Sequence, residues 1–206
     1  MRLLVATRSA HKLAEIREIL SAVPGLELVG LDEAGIAPTP EEEGLEPYET
    51  FEENALSKAR YFHGRTGLPT VSDDSGLSVD ALAGAPGVRS KRFAPGEAEG
   101  LERDLANNAH LLDRLADVPA EERTARYVCV VALVRSQVSP SLFRGEVEGI
   151  ITREPAGQGG FGYDPLFHVP ELGRTFGQAT AGEKHALSHR GRAFRALAAG
   201  LGGGDD

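Results

Sequence analysis

Two adjacent carboxylates, Asp73 and Asp74, stand ahead of Ser75-Gly76 and between two short apolar runs. Adjacent carboxylates at a tight turn can hold a divalent cation and can orient or deprotonate a water, provided one of them faces the site. Asp, Ser and Gly are also ordinary turn formers. Flanking residues in a turn point differently, so one acid is expected at the site and the other as a brace. Glu46 lies just ahead of a helical segment that carries Lys58. A cation bound together with phosphates needs only one or two protein carboxylates, because phosphate oxygens and water fill its remaining positions.

A phosphate cradle is legible further upstream. Thr7-Arg8-Ser9-Ala10-His11-Lys12 sits where an apolar run gives way to a helical pattern, and a helix start offers unpaired N–H groups and a positive dipole end. Two hydroxyls and an ammonium there suit a triphosphate, although a plain Ser cap with a solvent-facing lysine would read the same. No Gly-x-x-x-x-Gly-Lys is present, so the segment is not a P-loop. Of 22 basic residues only four are lysine, namely Lys12, Lys58, Lys91 and Lys184. Where arginine fills nearly every basic position, the surviving lysines become candidates for sites that want a compact ammonium.

Gly157-Gln158-Gly159-Gly160-Phe161-Gly162 matches G-x-G-x-x-G in form only, because Pro155 precedes it and Tyr163-Asp164-Pro165 follows. A dinucleotide fingerprint must follow a strand and open a helix. The loop better suits Phe161 as a stacking platform and Asp164 as an acceptor for a base N–H, or else a packed glycine turn. His185 and His189 are four apart, but the position that would carry Glu in His-Glu-x-x-His is Ala186, which argues against zinc. Donors on His189 and Arg190 could read a carbonyl oxygen, and Lys184 could meet phosphate. From Arg174 to Arg195 there are five basic residues against one acidic.

These side chains need a scaffold, and hydrophobic periodicity supplies one. Strands are predicted over Leu3 to Thr7, Leu26 to Leu31, Leu68 to Ser72, Leu77 to Leu82, Thr124 to Arg135, Leu142 to Thr152 and Leu166 to Val169. Helices are predicted from Leu13 to Leu20, from the Thr50-x-x-Glu53 capping box to Gly64 or Gly67, over Glu97 to Leu115, and over His185 to Ala199. Glu33 to Pro47 reads as an acidic loop. Residues 1–201 form a single two-lobed catalytic domain on this reading, and residues 202–206 a frayed tail. The irregular order of strands and helices implies α/β with a mixed sheet, not a barrel or doubly wound sheet.

The 206-residue chain carries a formal charge of −9, which disfavours a nucleic-acid backbone as partner. A long apolar segment and a signal-peptide pattern are both missing, so a cytoplasmic protein without a membrane role is expected. The single cysteine, Cys129, lies in the apolar run Val128 to Val134 and reads as core.

Taken in order, six blocks make the sequence resemble the inosine triphosphatase family of pyrophosphatases. They are Ala6-Thr7 through Lys12, Thr50-Phe51-x-Glu53-Asn54-Ala55-x-x-Lys58-Ala59, Ser72 to Leu77, Ala85-Pro86-Gly87-Val88, Gly160 to Pro165, and Ser188-His189-Arg190-Gly191. The resemblance implies a long mixed β-sheet flanked by helices, with two lobes and a central active-site cleft. It implies magnesium-dependent hydrolysis of the α–β phosphoanhydride of ITP, dITP and XTP, with one Mg2+ per subunit, in a homodimer. On the family pattern Asp74 activates water, and Glu46 and Asp74 bind metal. Thr7, Arg8, Ser9, Lys12, Lys58, Ser75 and Lys184 line the phosphates. Phe161 stacks on the base, Gly162 and Tyr163 belong to the substrate-binding set, and Asp164, His189 and Arg190 read the base edge. The pattern departs at Ser9, where many relatives have Asn, and at Pro47-Tyr48, where Thr-Gly is common. A Maf-type pyrophosphatase for pyrimidine nucleotides and a non-catalytic nucleotide sensor are the alternatives. The Ser188-His189-Arg190 block speaks against the first, and Asp74 with Glu46 against the second.

Overall fold

The first apolar run becomes the inside of a sheet. In β1 (Arg2–Val5) residues Leu3, Leu4 and Val5 are buried, and the strand pairs in parallel with β2 (Glu27–Gly30) on one side and β3 (Thr70–Val79) on the other. The remaining strands are β4 (Thr124–Arg135), β5 (Val138–Ile151), β6 (Phe167–Val169) and β7 (Arg174–Thr175). The computed structural model describes residues 1–202 as one sheet of order β2-β1-β3-β4-β5-β6-β7. Only two residues, Ser136 and Gln137, join β4 to β5, a connection short enough to require an antiparallel pair. β6 also runs antiparallel to both its neighbours. The sheet is therefore mixed, as expected. No helix among the described residues is long and apolar enough to cross a membrane.

Contacts divide the chain into two units. One holds Met1–Asp74, Cys129–Gly145 and the segment from Arg190, and the other Ser75–Val128 and Glu146–His189. In the first unit, α1 (Ala10–Leu20), α2 (Phe51–Thr66) and α5 (His189–Gly202) accompany the strands. Strand alternation sorts its core. Leu3, Val5 and Val71 cluster with Ile16 and Leu20 of α1 and with Ala193, Phe194 and Leu197 of α5. Leu4 and Ala6 point the other way and meet Phe62 of α2. The second unit packs α3 (Gly100–Arg114) through Leu111 against Leu77, Tyr127, Phe167 and Phe176, and it contains α4 (Ala181–Leu187).

Three expectations are corrected. Asp73 to Gly76 is not a turn between two strands: β3 runs unbroken through it. Polar residues that favour turns are held extended here because their side chains find partners on both faces of the sheet, and tertiary contacts override local preference. The helix expected over His185 to Ala199 is two helices, α4 and α5, parted at Ser188, whose backbone is extended (φ −64°, ψ 155°). The tail expected over residues 202–206 begins too early, since Gly202 ends α5, and residues 203–206 lie outside the described residues.

Candidate functional site

The β3 alternation decides where the two carboxylates go. Asp73 shares the face of Val71 and so meets α1 and α5: its Oδ2 pairs with Lys12 Nζ at 3.1 Å and with Arg190 Nη2 at 3.4 Å. Arg190 Nη1 also reaches Glu15 Oε2 at 2.6 Å. Asp73 is 1% exposed. Burial pushes its carboxyl up, but Lys12, Arg190 and Lys58 together hold it well below the ordinary carboxylate range. Burial likewise opposes charge on Arg190, and the Asp73 and Glu15 carboxylates more than compensate, raising it.

Asp74 shares the face of Ser72 and meets α2. Ser72 Oγ donates to the Ala55 carbonyl, and Asp74 Oδ2 accepts from Asn54 Nδ2 at 3.1 Å. Its carboxyl is pushed up to about 6, chiefly by burial. Lys58 pulls it down and the neighbouring Glu46 charge pushes it up again. Lys58 Nζ donates to the Asp73 backbone carbonyl at 2.8 Å and pairs with Glu46. Burial disfavours the Lys58 ammonium, while Glu46 and Asp73 favour it strongly enough to raise its pKa.

Asn54 ties this face together. Its amide oxygen accepts from the Tyr48 N–H at 2.9 Å, and its amide nitrogen donates to the Tyr48 carbonyl as well as to Asp74. The segment carrying Glu46 is therefore held through backbone groups, which Pro47-Tyr48 supplies without any particular side chain. The Thr50 side chain caps α2 by accepting from the Glu53 N–H.

The start of α1 is arranged differently from the expected cradle in one respect. Ser9 is the N-cap, accepting from the Lys12 N–H at 3.3 Å, and Thr7 Oγ1 accepts from the Ser9 N–H. Arg8, however, turns toward the acidic loop: its guanidinium bonds Glu42, Asp32 and the Ile36 carbonyl. These bonds tie the start of α1 to residues 32–42.

The second unit gathers the other predicted residues. Lys184 Nζ pairs with Asp164 Oδ2 at 2.7 Å, both side chains being buried, and lies 4.5 Å from the Phe161 ring centroid. Asp164 Oδ2 also accepts from the Phe161 N–H at 2.8 Å. The lysine expected at the phosphates and the acid expected at the base edge are thus paired with each other beside Phe161. Tyr163 is buried, with its hydroxyl donating to the Ser90 carbonyl. The His189 ring stacks on Tyr127, 4.6 Å between centroids and 8° from parallel. Ser75 follows Asp74 in β3 and is half-buried. Arg190, expected beside His189 at the base edge, pairs with Asp73 and Glu15.

The Ham1 family model matches residues 3–200. The chain belongs to the Ham1 family. Its relatives include the dITP/XTP pyrophosphatase of Frankia alni, 50% identical over 201 residues and covering 96% of each chain. That of Nocardia farcinica is 52% identical over 199 residues, 95% of this chain and 92% of the relative. The HAM1 protein from Coxiella burnetii superposes with a TM-score of 0.85 at 37% identity, over 98% of each chain.

Two residues of this Ham1 site escape a reading by motif. Glu15 is three residues beyond Lys12 in α1 and so on the same helix face, where it meets Arg190 while Lys12 meets Asp73. Asn54 lies in a recognised block, but its bridging role depends on where β3 passes. Among the described residues no group of three or more His, Cys, Asp or Glu side chains forms a metal cluster. The donor set that is present, Glu46 with Asp74, is a pair of hard oxygen ligands whose charges oppose each other, which fits a divalent cation shared with phosphates.

Proposed function

We propose that this chain is a nucleoside-triphosphate pyrophosphatase that hydrolyses the α–β phosphoanhydride of dITP, XTP and ITP to the monophosphate and pyrophosphate. The observation that carries the reading is the division on β3, where Asp73 is locked between Lys12 and Arg190 while Asp74 faces the other way, held by Asn54 and close to the charges of Glu46 and Lys58. A general base works best with a pKa near the working pH, and Asp74 meets that condition. Binding alone would not require it.

Glu46 and Asp74 would hold one Mg2+ per subunit, which would neutralise charge on the triphosphate and the departing pyrophosphate. Asp74 orients the attacking water toward the α-phosphorus and accepts its proton. Lys12 and Lys58 offer ammonium groups to the phosphates, and Thr7, Ser9 and Ser75 line them. Arg190 keeps Asp73 ionised and Lys12 placed, so it serves the phosphate end through its neighbours.

At the base end Phe161 provides the stacking surface, with Gly162 and Tyr163 shaping it and Lys184 above the ring. A 6-keto purine presents an acceptor at O6 and a donor at N1, the reverse of adenine. A donor from His189 would favour the 6-keto form, because adenine would leave that group unpaired. The enzyme is proposed to work as a cytoplasmic homodimer on small nucleotides, with no nucleic acid or membrane partner.

The test is pyrophosphate release with Mg2+ from dITP, XTP, ITP, GTP, ATP and dTTP. Turnover of the first three well above the rest is the expected result. Turnover of dTTP with inert dITP would favour pyrimidine chemistry, and no turnover of any nucleotide would favour a sensor.

A further inference from the structure

Phe161 sits between two glycines with left-handed backbones, Gly160 (φ +73°) and Gly162 (φ +62°). Four of the six residues from 157 to 162 are glycine, and such a segment loses much conformational freedom when it is ordered. Something must fix the ring's direction. Asp164 holds one side of it, through the Phe161 N–H.

The other side is held by α3. Asp104 Oδ2 accepts from the Gly162 N–H at 2.8 Å, and Asn108 Nδ2 donates to the Gly162 carbonyl at 3.0 Å. Both polar groups of Gly162 are therefore engaged by side chains four residues apart on one helix face. The helix is itself anchored beside this clamp. Asn107 Oδ1 accepts from the Ala94 N–H and its Nδ2 donates to the Ser90 and Lys91 carbonyls, while Tyr163 donates to the same Ser90 carbonyl. Leu111, one turn further, is fully buried in the core.

We infer that Asp104 and Asn108 are positioning residues for base recognition, fixing the Phe161 platform through the peptide groups of Gly162 without touching substrate. The inference rests on the stacking role proposed for Phe161. What Asp104 must supply is an acceptor and not a charge, so Asp104→Asn keeps the function while Asp104→Ala loses it.

Three measurements on the full chain test this. Hydrogen exchange at the Gly162 amide is expected to quicken at least about tenfold in Asp104→Ala and to stay near the parent in Asp104→Asn. The KM for dITP is expected to rise about tenfold in Asp104→Ala with kcat within about threefold, and to recover in Asp104→Asn. In a Phe161→Ala background, Asp104→Ala is expected to add less than about twofold to KM, because the two act as one unit. Unchanged exchange in a folded Asp104→Ala overturns the clamp whatever Phe161 does. A KM rise that is fully additive with Phe161→Ala, or not recovered by Asn while the Asn variant folds like the parent, overturns the positioning role. If exchange quickens but Phe161→Ala itself leaves KM unchanged, the stacking reading fails, and with it the inference that the clamp serves base recognition.

Discussion

The carboxyl groups of Asp73 and Asp74 leave consecutive positions of β3 on opposite faces and arrive at opposite ends of the carboxylate range. Lys12 and Arg190 meet Asp73 and hold it ionised, whereas Asp74 faces α2, with Asn54 as donor and the Glu46 charge nearby, and is pushed up to about 6. Two chemically identical side chains acquire two roles because a strand alternates and the two helix faces differ in charge.

Asp74→Asn tests the base directly. It removes the proposed proton acceptor with little change in shape, so kcat is expected to fall by about 10²–10⁴. The same change is expected to stabilise the metal-free protein. The folded pKa of Asp74 lies above its unfolded value, so the ionised group costs stability. That cost is fully present above about pH 6 and vanishes as pH falls toward the unfolded value. Thermal melts of parent and variant without metal are expected to differ by on the order of 2 kcal/mol in favour of Asn at pH 8, and to converge near pH 4.

Asp73→Asn should behave in the opposite way. Lys12 and Arg190 would keep their charges in a buried site with no carboxylate between them, a loss expected to cost about 3–5 kcal/mol. The folded pKa of Asp73 is depressed, so its contribution is present above the unfolded value and fades only as pH drops through the lower folded one. The stability gap between parent and Asn variant is therefore expected to stay flat from pH 5 to 8. A gap that grew or shrank across that window would contradict the pairing.

Much of this was legible in the sequence, and what was not has physical causes. That the two Asp side chains point to different surroundings followed from expecting divergent directions. The directions, however, come from strand alternation, since Asp-Asp-Ser-Gly reads locally as a turn whereas β3 runs through it between its neighbours in the sheet. Arg190 sits beside His189 in sequence, which invites a common role, yet α5 begins there and sends the guanidinium toward Glu15, a residue 175 positions away. Lys184 was readable as a scarce lysine but not as the partner of Asp164, because a long-range ion pair leaves no mark on local composition.

Asn54 gives a prediction that separates metal binding from folding. It connects Asp74 to the Tyr48 backbone and so sets the approach of Glu46. Asn54→Ala is expected to raise the Mg2+ concentration for half-maximal turnover by about tenfold, in keeping with the loss of hydrogen bonds to a charged group. Titrating Mg2+ at saturating dITP reads this out. An unchanged midpoint in a folded variant would mean that Glu46 is aimed without Asn54.

Two glycines of the platform loop provide a matched comparison. Gly160 and Gly162 have similar left-handed backbones, so alanine at either carries a comparable conformational cost of roughly 1 kcal/mol. Their surroundings differ: a Cβ on Gly160 would fall deep inside contact distance of the Asp164 carboxylate, whereas one on Gly162 would have no heavy atom within 4 Å. Gly160→Ala must therefore displace Asp164, and with it the anchors of Lys184 and of the Phe161 N–H. A buried pair disturbed in this way is expected to cost about 3 kcal/mol or more and to raise the KM for dITP by at least about tenfold. Gly162→Ala should cost only the backbone strain, with KM moving by less than about threefold. Melting curves and steady-state kinetics on the two variants decide the matter, and equal effects in both would show that Asp164 is not what fixes the platform.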